Sequence, residues 1–241
     1  MNLLKFNTLR PLLSVEKLAT MSQIVGLKTF KPPQKLDIEW PERAKLNVQP
    51  KVPQYPPSMR PFKMQKKLRL MRGPEQVHTE FIHKQFGIVA QIGGRMKYEH
   101  FEVIRMTLLR RCNFDKMFAV WRVDAPWQPA TKKSLGQRMG GGKGAIDHYF
   151  TPLKAGRVIV EVGGDIEYFE VKRILNNLAN KMPFKAKAYC YDELMKEREY
   201  KKHLEDSNQN PYTWKYIIQN NMGGCHKWIS PYDQLWYNEY L

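Results

Sequence analysis

The hydrophobic pattern in the middle of the chain predicts alternating strands and helices. Short apolar runs, bounded by glycine, proline or charged residues, indicate strands at 86–92, 116–123, 148–153, 157–162 and 184–191. Apolar residues that recur every three or four positions indicate helices at 98–112 and 168–181, and Pro183 ends the second helix. The short connection 154–156 predicts a hairpin between its flanking strands. This order favours an α+β fold, a compact two-helix domain with mostly antiparallel or mixed strands.

Two residues conflict with the elements in which they lie. Arg105 falls within the apolar stripe of the first predicted helix, so its charge must reach the edge of the stripe or meet an anion. Pro152 has no backbone N–H to donate, which places part of its strand at a sheet edge or at a bulge.

Both ends of the chain differ from this central region. Residues 1–30 are basic, almost free of acidic residues and rich in leucine and hydroxyl side chains, which predicts an organellar presequence, with a flexible basic tail as the alternative. Residues 31–59 are rich in proline and predict a segment that runs extended along a surface. Residues 191–241 form a C-terminal extension, with a charged helix at 192–206 and then an aromatic-rich tail. The tail either docks onto another protein or folds back on its own domain.

The charge of the chain favours a polyanionic partner. Lys and Arg number 40 against 23 Asp and Glu, a formal net charge of +17, and residues 61–190 carry 24 of these cations against 11 acids. A fold gains nothing from such self-repulsion, so nucleic acid is the leading partner and a solvated basic surface is the alternative. The three cysteines are too far apart for a disulfide framework or a structural zinc site. No stretch is long and apolar enough to predict a membrane-spanning helix.

The clearest candidates for phosphate contacts lie in two segments. The first, FKMQKKLRLMR at 62–72, interleaves cations with apolar residues. The second is the loop KKSLGQRMGGGKG at 132–144, whose glycines permit a close backbone approach to phosphates. A Walker A loop does not fit, because Gln137 and Gly144 occupy positions that need glycine and Ser/Thr. Asp147–His148 is a weak acid–base candidate, because neighbours on a strand point to opposite faces.

The run RMGGGKG at 138–144, followed by KAGRVIVEVGG at 154–164, resembles the large-ribosomal-subunit protein family sixteen of bacterial type. The similarity extends from about residue 59 to 189 and includes FGIVAQIGGR and the helix that bears Arg105 and Arg110. At Gly141 bacterial members usually have lysine. The additional segments at both ends resemble those of a mitochondrial member. The resemblance implies a non-enzymatic constituent of the large ribosomal subunit in the mitochondrial matrix, near the path of transfer RNA.

The resemblance and the charge pattern together predict which residues contact RNA. The residues expected to bind ribosomal RNA within a domain at 60–190 are Lys63, Lys66, Lys67, Arg69, Arg72, Arg95, Arg105, Arg110, Arg111, Lys132 and Lys133. The residues expected nearest to transfer RNA are Arg138, Met139, Gly140, Gly141, Gly142, Lys143 and Gly144. Residues 31–59 and 191–241 are expected to meet neighbouring mitochondrial ribosomal proteins. We expect no cofactor, catalytic residue, metal, membrane insertion or homo-oligomer. The alternatives are a nucleotide-dependent enzyme that uses the 136–144 loop and a free-standing RNA-binding protein.

Overall fold

Seven strands and five α-helices follow one another along residues 38–240, the part of the chain that the structure, a computed structural model, describes. In chain order they are β1 (Phe86–Ala90), β2 (Gly94–Lys97), α1 (Tyr98–Arg111), β3 (Met117–Trp121), β4 (Gln128–Lys132), β5 (Ala145–Leu153), β6 (Val158–Gly164), α2 (Tyr168–Ala179), β7 (Ala186–Cys190), α3 (Tyr191–Asp206), α4 (Trp214–Gln219) and α5 (Pro231–Trp236). Short 3-10 helices occur at Leu68–Leu70 and Met222–Lys227. The predicted presequence at 1–30 lies outside the described residues.

A four-stranded sheet, in the order β3-β6-β1-β7, forms the centre of the fold, and all its pairs are antiparallel. The inner strands β6 and β1 are buried along their whole length, because both faces of the sheet are covered. On one face α1 and α2 contribute Phe101, Ile104, Leu108, Val171, Leu175 and Leu178 to the main core. On the other face Val89, Val158 and Tyr189 pack with Phe81 and with Leu194 of α3. The predicted two-helix α+β domain is confirmed.

A buried carboxylate ties a loop to this sheet. Glu161, in the middle of β6, is 1% exposed and accepts hydrogen bonds from the backbone N–H groups of Ile82 and His83 at 3.0–3.2 Å. The Nε atom of Arg122 lies 2.9 Å from Glu161 Oε1, but its N–H does not point at that oxygen, so this contact is an ion pair without a hydrogen bond. Because a buried charge is tolerated only when it is paired and hydrogen-bonded, Glu161 holds residues 82–83 against the sheet.

The predicted hairpin at 154–156 is wrong, because β5 and β6 belong to different sheets. β5 is the middle strand of a second, three-stranded antiparallel sheet in the order β2-β5-β4. The backbone N–H of Gly156 donates to the carbonyl of Ala90 at 2.7 Å, and the N–H of Glu75 donates to the carbonyl of Ala155 at 2.8 Å. The connection is therefore held between two other segments, and it carries the chain from one sheet to the other.

The sequence pattern did not predict β2 and β4, and its prediction that Pro152 lies at a sheet edge or a bulge holds only in part. The glycine pair at 93–94 indicated the end of a strand, whereas β2 begins within it, and β4 contains Pro129 and lacks an apolar alternation. Pro152 lies in the central strand β5 but pairs only with Arg95, because the pairing of β5 with β4 ends at Phe150. At Pro152, β5 therefore has a partner strand on one side only, as an edge strand does, although β5 is the middle strand of its sheet.

Residues 38–59, the described part of the proline-rich segment, contain no helix or strand, and residues 40–47 lie along the edge of the four-stranded sheet. The carbonyl of Ala44 accepts the N–H of Ala119 in β3, and the carbonyl of Asn47 accepts Nε1–H of Trp121, both at 2.9 Å. Leu46 is buried in the main core. The segment thus covers β3, an edge strand that would otherwise expose unpaired backbone groups.

The aromatic tail is helical, and its end returns to the domain. Trp236 of α5 packs on Gly73, where a Cβ atom would lie 2.6 Å from the indole nitrogen. Ile218 of α4 is buried, whereas Trp214 and Trp228 are 65% and 84% exposed. The end of the tail therefore folds back on its own chain, while its middle leaves large aromatic side chains in contact with solvent.

Candidate nucleic-acid interface

Two basic segments that are far apart in the sequence are bound to each other. The ammonium group of Lys63 donates a hydrogen bond to the carbonyl of Lys143 at 2.9 Å. In return, the ammonium group of Lys143 donates to the carbonyls of Lys63 and Met64 at 3.1 and 3.3 Å. The structure thereby brings together the basic segment 62–72 and the glycine loop 132–144, each predicted separately to contact phosphate.

The glycine loop has a backbone that requires several of its glycines. Gly136, Gly140 and Gly142 have φ angles of 80–86°, a left-handed conformation that disfavours any side chain. Gly144 is required for a different reason, since a Cβ atom there would collide with the backbone carbonyl of Lys132 where the two arms of the loop meet. Met139 near the tip is 95% exposed. The loop therefore presents backbone and flexible side chains to solvent above a closed neck.

Cations from three chain segments converge on a cavity of about 330 Å³ at the three-stranded sheet. Lys66, Lys132, and Arg95 and Lys97 of β2 contribute the charges. The buried ring of Phe150 lies beneath, and the guanidinium carbon of Arg95 is 5.0 Å from its centroid. Lys97 was not predicted, because it shares a face with Arg95 only once β2 is known to be a strand. We call Lys63, Lys66, Arg95, Lys97, Lys132 and Lys143 the basic face.

A carboxylate and an imidazole line the same cavity. His148 Nδ1 lies 2.8 Å from Asp147 Oδ2, although neighbours on a regular strand would point to opposite faces. The sequence argument fails here because β5 contains a bulge. Ala130 pairs with His148 and Thr131 pairs with Ile146, so that Asp147 is left as the extra residue. The hydrogen bond with His148 lowers the pKa of the Asp147 carboxyl, which is therefore ionised at neutral pH.

The three predicted cations of α1 do not line this cavity. Arg105 donates two hydrogen bonds to Glu102 on its own helix, at 3.0 and 2.7 Å, so the anion that its position demanded is a neighbouring carboxylate. These hydrogen bonds lower the pKa of the Glu102 carboxyl. Arg110 and Arg111 are exposed in the last turn of α1, where positive charge also interacts favourably with the helix dipole.

A second cavity, of about 530 Å³, is lined by another part of the basic segment. Lys67 and Arg69 line it together with Phe62 and Trp127, and both aromatic side chains are exposed. Exposed rings beside cations are typical of surfaces that bind single-stranded nucleic acid, because bases stack on the rings while the cations contact the backbone. Trp127 was not predicted, since it lies in a loop without a periodic pattern.

The remaining two predicted cations connect the basic face to other regions. Lys133 donates to the carbonyl of Arg138 at 3.4 Å across the glycine loop. Arg72 is half-buried and precedes Gly73, the residue on which Trp236 packs. The basic segment is thus held at one end by the loop and at the other by the C-terminal tail.

Within residues 38–240, no helix has the length and apolar character needed to cross a membrane. Nor does this part of the chain place three or more His, Cys, Asp or Glu side chains where they could hold a metal ion. The glycine loop leads into β5 and not into a helix, so it lacks the helix N-terminus that nucleotide-binding loops direct at phosphate.

Comparison with known proteins agrees with this geometry. The sequence model of the family described as Ribosomal protein L16p/L10e matches residues 57–189, more than half of the chain. The Large ribosomal subunit protein uL16 of Sulfurovum sp. (strain NBC37-1) is 40% identical over 101 residues, which are 42% of this chain and 69% of that relative. The matched region includes both basic segments and both sheets. The chain therefore belongs to the ribosomal protein L16p/L10e family and is a structural, non-enzymatic constituent of the large ribosomal subunit.

Proposed function

We propose that this chain is a mitochondrial member of the family, that its basic face binds large-subunit ribosomal RNA, and that its glycine loop lies near the path of transfer RNA. The observation that carries the proposal is the mutual binding of Lys63 and Lys143, which unites two cationic segments that also contribute Lys66 and Lys132 to the cavity at the three-stranded sheet. Folded RNA presents closely spaced phosphates, and each contact with a cation releases counterions.

The basic face is suited to RNA because three of its cations, Lys63, Arg95 and Lys143, are held by contacts within the fold before RNA arrives. Arg95 is placed by its contact with Phe150 and by a 3.2 Å contact between its Nε and Met71 Sδ. Pre-organised cations lose less conformational entropy on binding than cations on a flexible tail. Lys97, Lys132 and Lys66 surround Arg95, so one phosphate-rich surface can meet all four charges.

Salt-dependent binding of an rRNA fragment tests the first part of this proposal. The double variant Lys66→Gln/Lys132→Gln should lower the slope of log affinity against log salt by about 1.4 to 1.8, because each lost contact changes it by about 0.7 to 0.9. The matched control is Lys201→Gln/Lys202→Gln, which removes the same charge from the exposed surface of α3. Equal slopes for both double variants would contradict the assignment of the basic face. Sedimentation of the native protein, free or with large subunits at moderate salt, separates a fixed ribosomal constituent from a free-standing RNA-binding protein.

Two cations of the glycine loop differ in their contacts, which allows a more specific test of the transfer RNA proposal. Arg138 lies in the exposed part of the loop, whereas the Lys143 ammonium is bound to the carbonyls of Lys63 and Met64. Arg138→Ala should therefore lower the rate of mitochondrial protein synthesis without changing the amount of assembled large subunit. Lys143→Ala should lower both, because it also releases the loop from the basic segment. Normal synthesis in the Arg138→Ala variant would contradict the position of the loop.

The mitochondrial assignment rests on the composition of residues 1–30 and has its own test. A fluorescent protein fused behind these residues should enter isolated mitochondria and be shortened there, because a basic, acid-poor segment is drawn in as an amphipathic helix. Replacement of Lys5, Arg10 and Lys17 by glutamine should abolish uptake. Uptake that is independent of these charges would oppose a presequence.

Two further regions of the chain are proposed to contact neighbouring ribosomal proteins. The exposed rings of Trp214 and Trp228 support this role for residues 191–241, because aromatic side chains are enriched where protein surfaces meet. Residues 31–59 are proposed to do the same. Crosslinking of the assembled subunit, with mass-spectrometric identification of the linked peptides, should connect both regions to other proteins.

A further inference from the structure

The cavity of the basic face contains more kinds of chemical group than phosphate binding requires. Its volume of about 330 Å³ is at the small end of the range for ligand pockets, roughly 300–1,000 Å³. A surface that only follows a phosphate backbone needs cations on a ridge. Here the cations surround a recess that also contains a buried ring, a carboxylate and an imidazole.

The base of this recess is made of flat groups. The Arg95 guanidinium lies over the Phe150 ring, and the His148 ring centroid is 6.4 Å from that of Phe150 at an interplanar angle of 51°. Arg95 and His148 are both only half-buried, so each presents part of its planar surface to the recess. Unpaired RNA bases are held on such aromatic and guanidinium planes, whereas paired bases inside a helix cannot reach them.

The polar atoms of the recess accept hydrogen bonds where a base edge would lie. A carboxylate can only accept, so Nδ1 of His148 carries the proton that the two groups share. Asp147 Oδ2 is used by His148, and Oδ1 accepts no hydrogen bond within residues 38–240. The two oxygens of one carboxylate disfavour uracil, whose edge carries two carbonyl groups with a single N–H donor between them. They favour guanine, whose N1–H and amino group are adjacent donors.

We propose that this recess binds one unpaired nucleotide of ribosomal RNA, with a guanine base against Arg95 and His148, its edge donating to Asp147, and its phosphates held by Lys66, Lys97 and Lys132. This inference rests on the proposed RNA binding by the basic face. It adds that the basic face distinguishes the identity of one base, whereas its other contacts depend on the shape and charge of the RNA.

The test measures fluorescence anisotropy of the full chain with short labelled oligouridines that carry one central guanosine, adenosine, cytidine or uridine. The guanosine probe should bind about tenfold more tightly than all-uridine RNA, as expected for two hydrogen bonds to a base edge. Asp147→Asn should reduce this preference to less than about twofold and leave all-uridine binding equal or stronger, since one negative charge is removed. Asp115→Asn, an exposed acid-to-amide control in the loop before β3, should keep the full preference.

The outcomes separate the two proposals. Equal binding of all four probes would overturn the nucleotide pocket but leave RNA binding by the basic face intact. Failure of every probe to bind at low salt would overturn both. Because a variant can fail by misfolding, ultraviolet crosslinking of the unaltered protein to the guanosine probe provides a second measurement. Crosslinks at residues 145–150 support the pocket, and their absence there, with crosslinks elsewhere, contradicts it.

Discussion

Gly141 offers a direct measure of how the glycine loop contacts RNA, because the structure permits a lysine at this position. Its φ angle is not in the left-handed region, unlike those of Gly140 and Gly142. A Cβ atom on Gly141 would lie 3.4 Å from the carbonyl of Arg138 and 3.5 Å from the side chain of Gln137, which are ordinary contacts. Gly141→Lys should therefore leave the free energy of unfolding unchanged, and the new ammonium group should reach solvent from an exposed turn.

The expected gain follows from counterion release. One additional phosphate contact should steepen the slope of log affinity against log salt by about 0.7 to 0.9. Over a fourfold change of salt, from about 50 to about 200 mM, the variant should lose about threefold more affinity than the unaltered chain. Anisotropy titrations of an rRNA fragment at several salt concentrations measure both slopes.

Two lysine variants serve as controls for this experiment. Asn177→Lys adds the same charge to the exposed surface of α2, and it should leave the slope unchanged if only the loop and the basic face touch RNA. Gly140→Lys adds the charge next to Gly141 but at a φ angle of 86°, which costs about 1 to 2 kcal/mol of backbone strain. A slope for Gly141→Lys that equals that of the Asn177→Lys control would refute a phosphate contact at the loop.

The remaining predictions concern stability and reactivity. Gly73→Ala should destabilise the chain by more than Gly156→Ala in chemical denaturation. Both glycines have φ angles of 85–87°, but only a Cβ atom at Gly73 would collide with Trp236. Equal losses of stability would contradict the docking of the tail. Burial raises the pKa of the Cys112 thiol to about 11. At about pH 8 only about one thiol in a thousand is ionised, so alkylation should be on the order of a hundredfold slower than in the denatured chain. Glu161→Gln should cost about 3 kcal/mol of unfolding free energy because it leaves a partly buried guanidinium without its counter-charge, and a loss below about 1 kcal/mol would refute this.

The elements that the sequence predicted well are those whose burial is visible locally. The inner strands β1 and β6 are buried on both faces, so they are almost entirely apolar apart from Glu161, and α2 buries one stripe at helical spacing. The helix at 98–112 was also predicted within one residue of its end. The four-residue strand β2 has only one buried residue, Met96, so no pattern could identify it.

The features that could not be predicted from the sequence depend on contacts between residues that are far apart in it. A hairpin at 154–156 is the local interpretation of the sequence, and it is overridden by the bonds from Gly156 to Ala90 and from Glu75 to Ala155 and by the pairing of β5 and β6 in different sheets. The cations of 62–72 and 132–144 were recognised from composition, but their union depends on bonds 79 and 80 residues apart in sequence. A hydrogen bond between Asp147 and His148 is disfavoured only in a regular strand, and a bulge is not encoded in any hydrophobic period. In contrast, Glu102 lies three residues before Arg105, a spacing that could have identified their pairing.

The contact between Trp236 and Gly73 joins two parts of the chain that are synthesised at very different times. A nascent chain exposes residues 62–72 long before residue 236 has been made, so the basic segment initially lacks its C-terminal brace. The contact with Gly73 can form only after α5 has been made. If residues 62–72 bind RNA as proposed, a product that ends before α5 should therefore bind the same RNA less tightly than the finished chain.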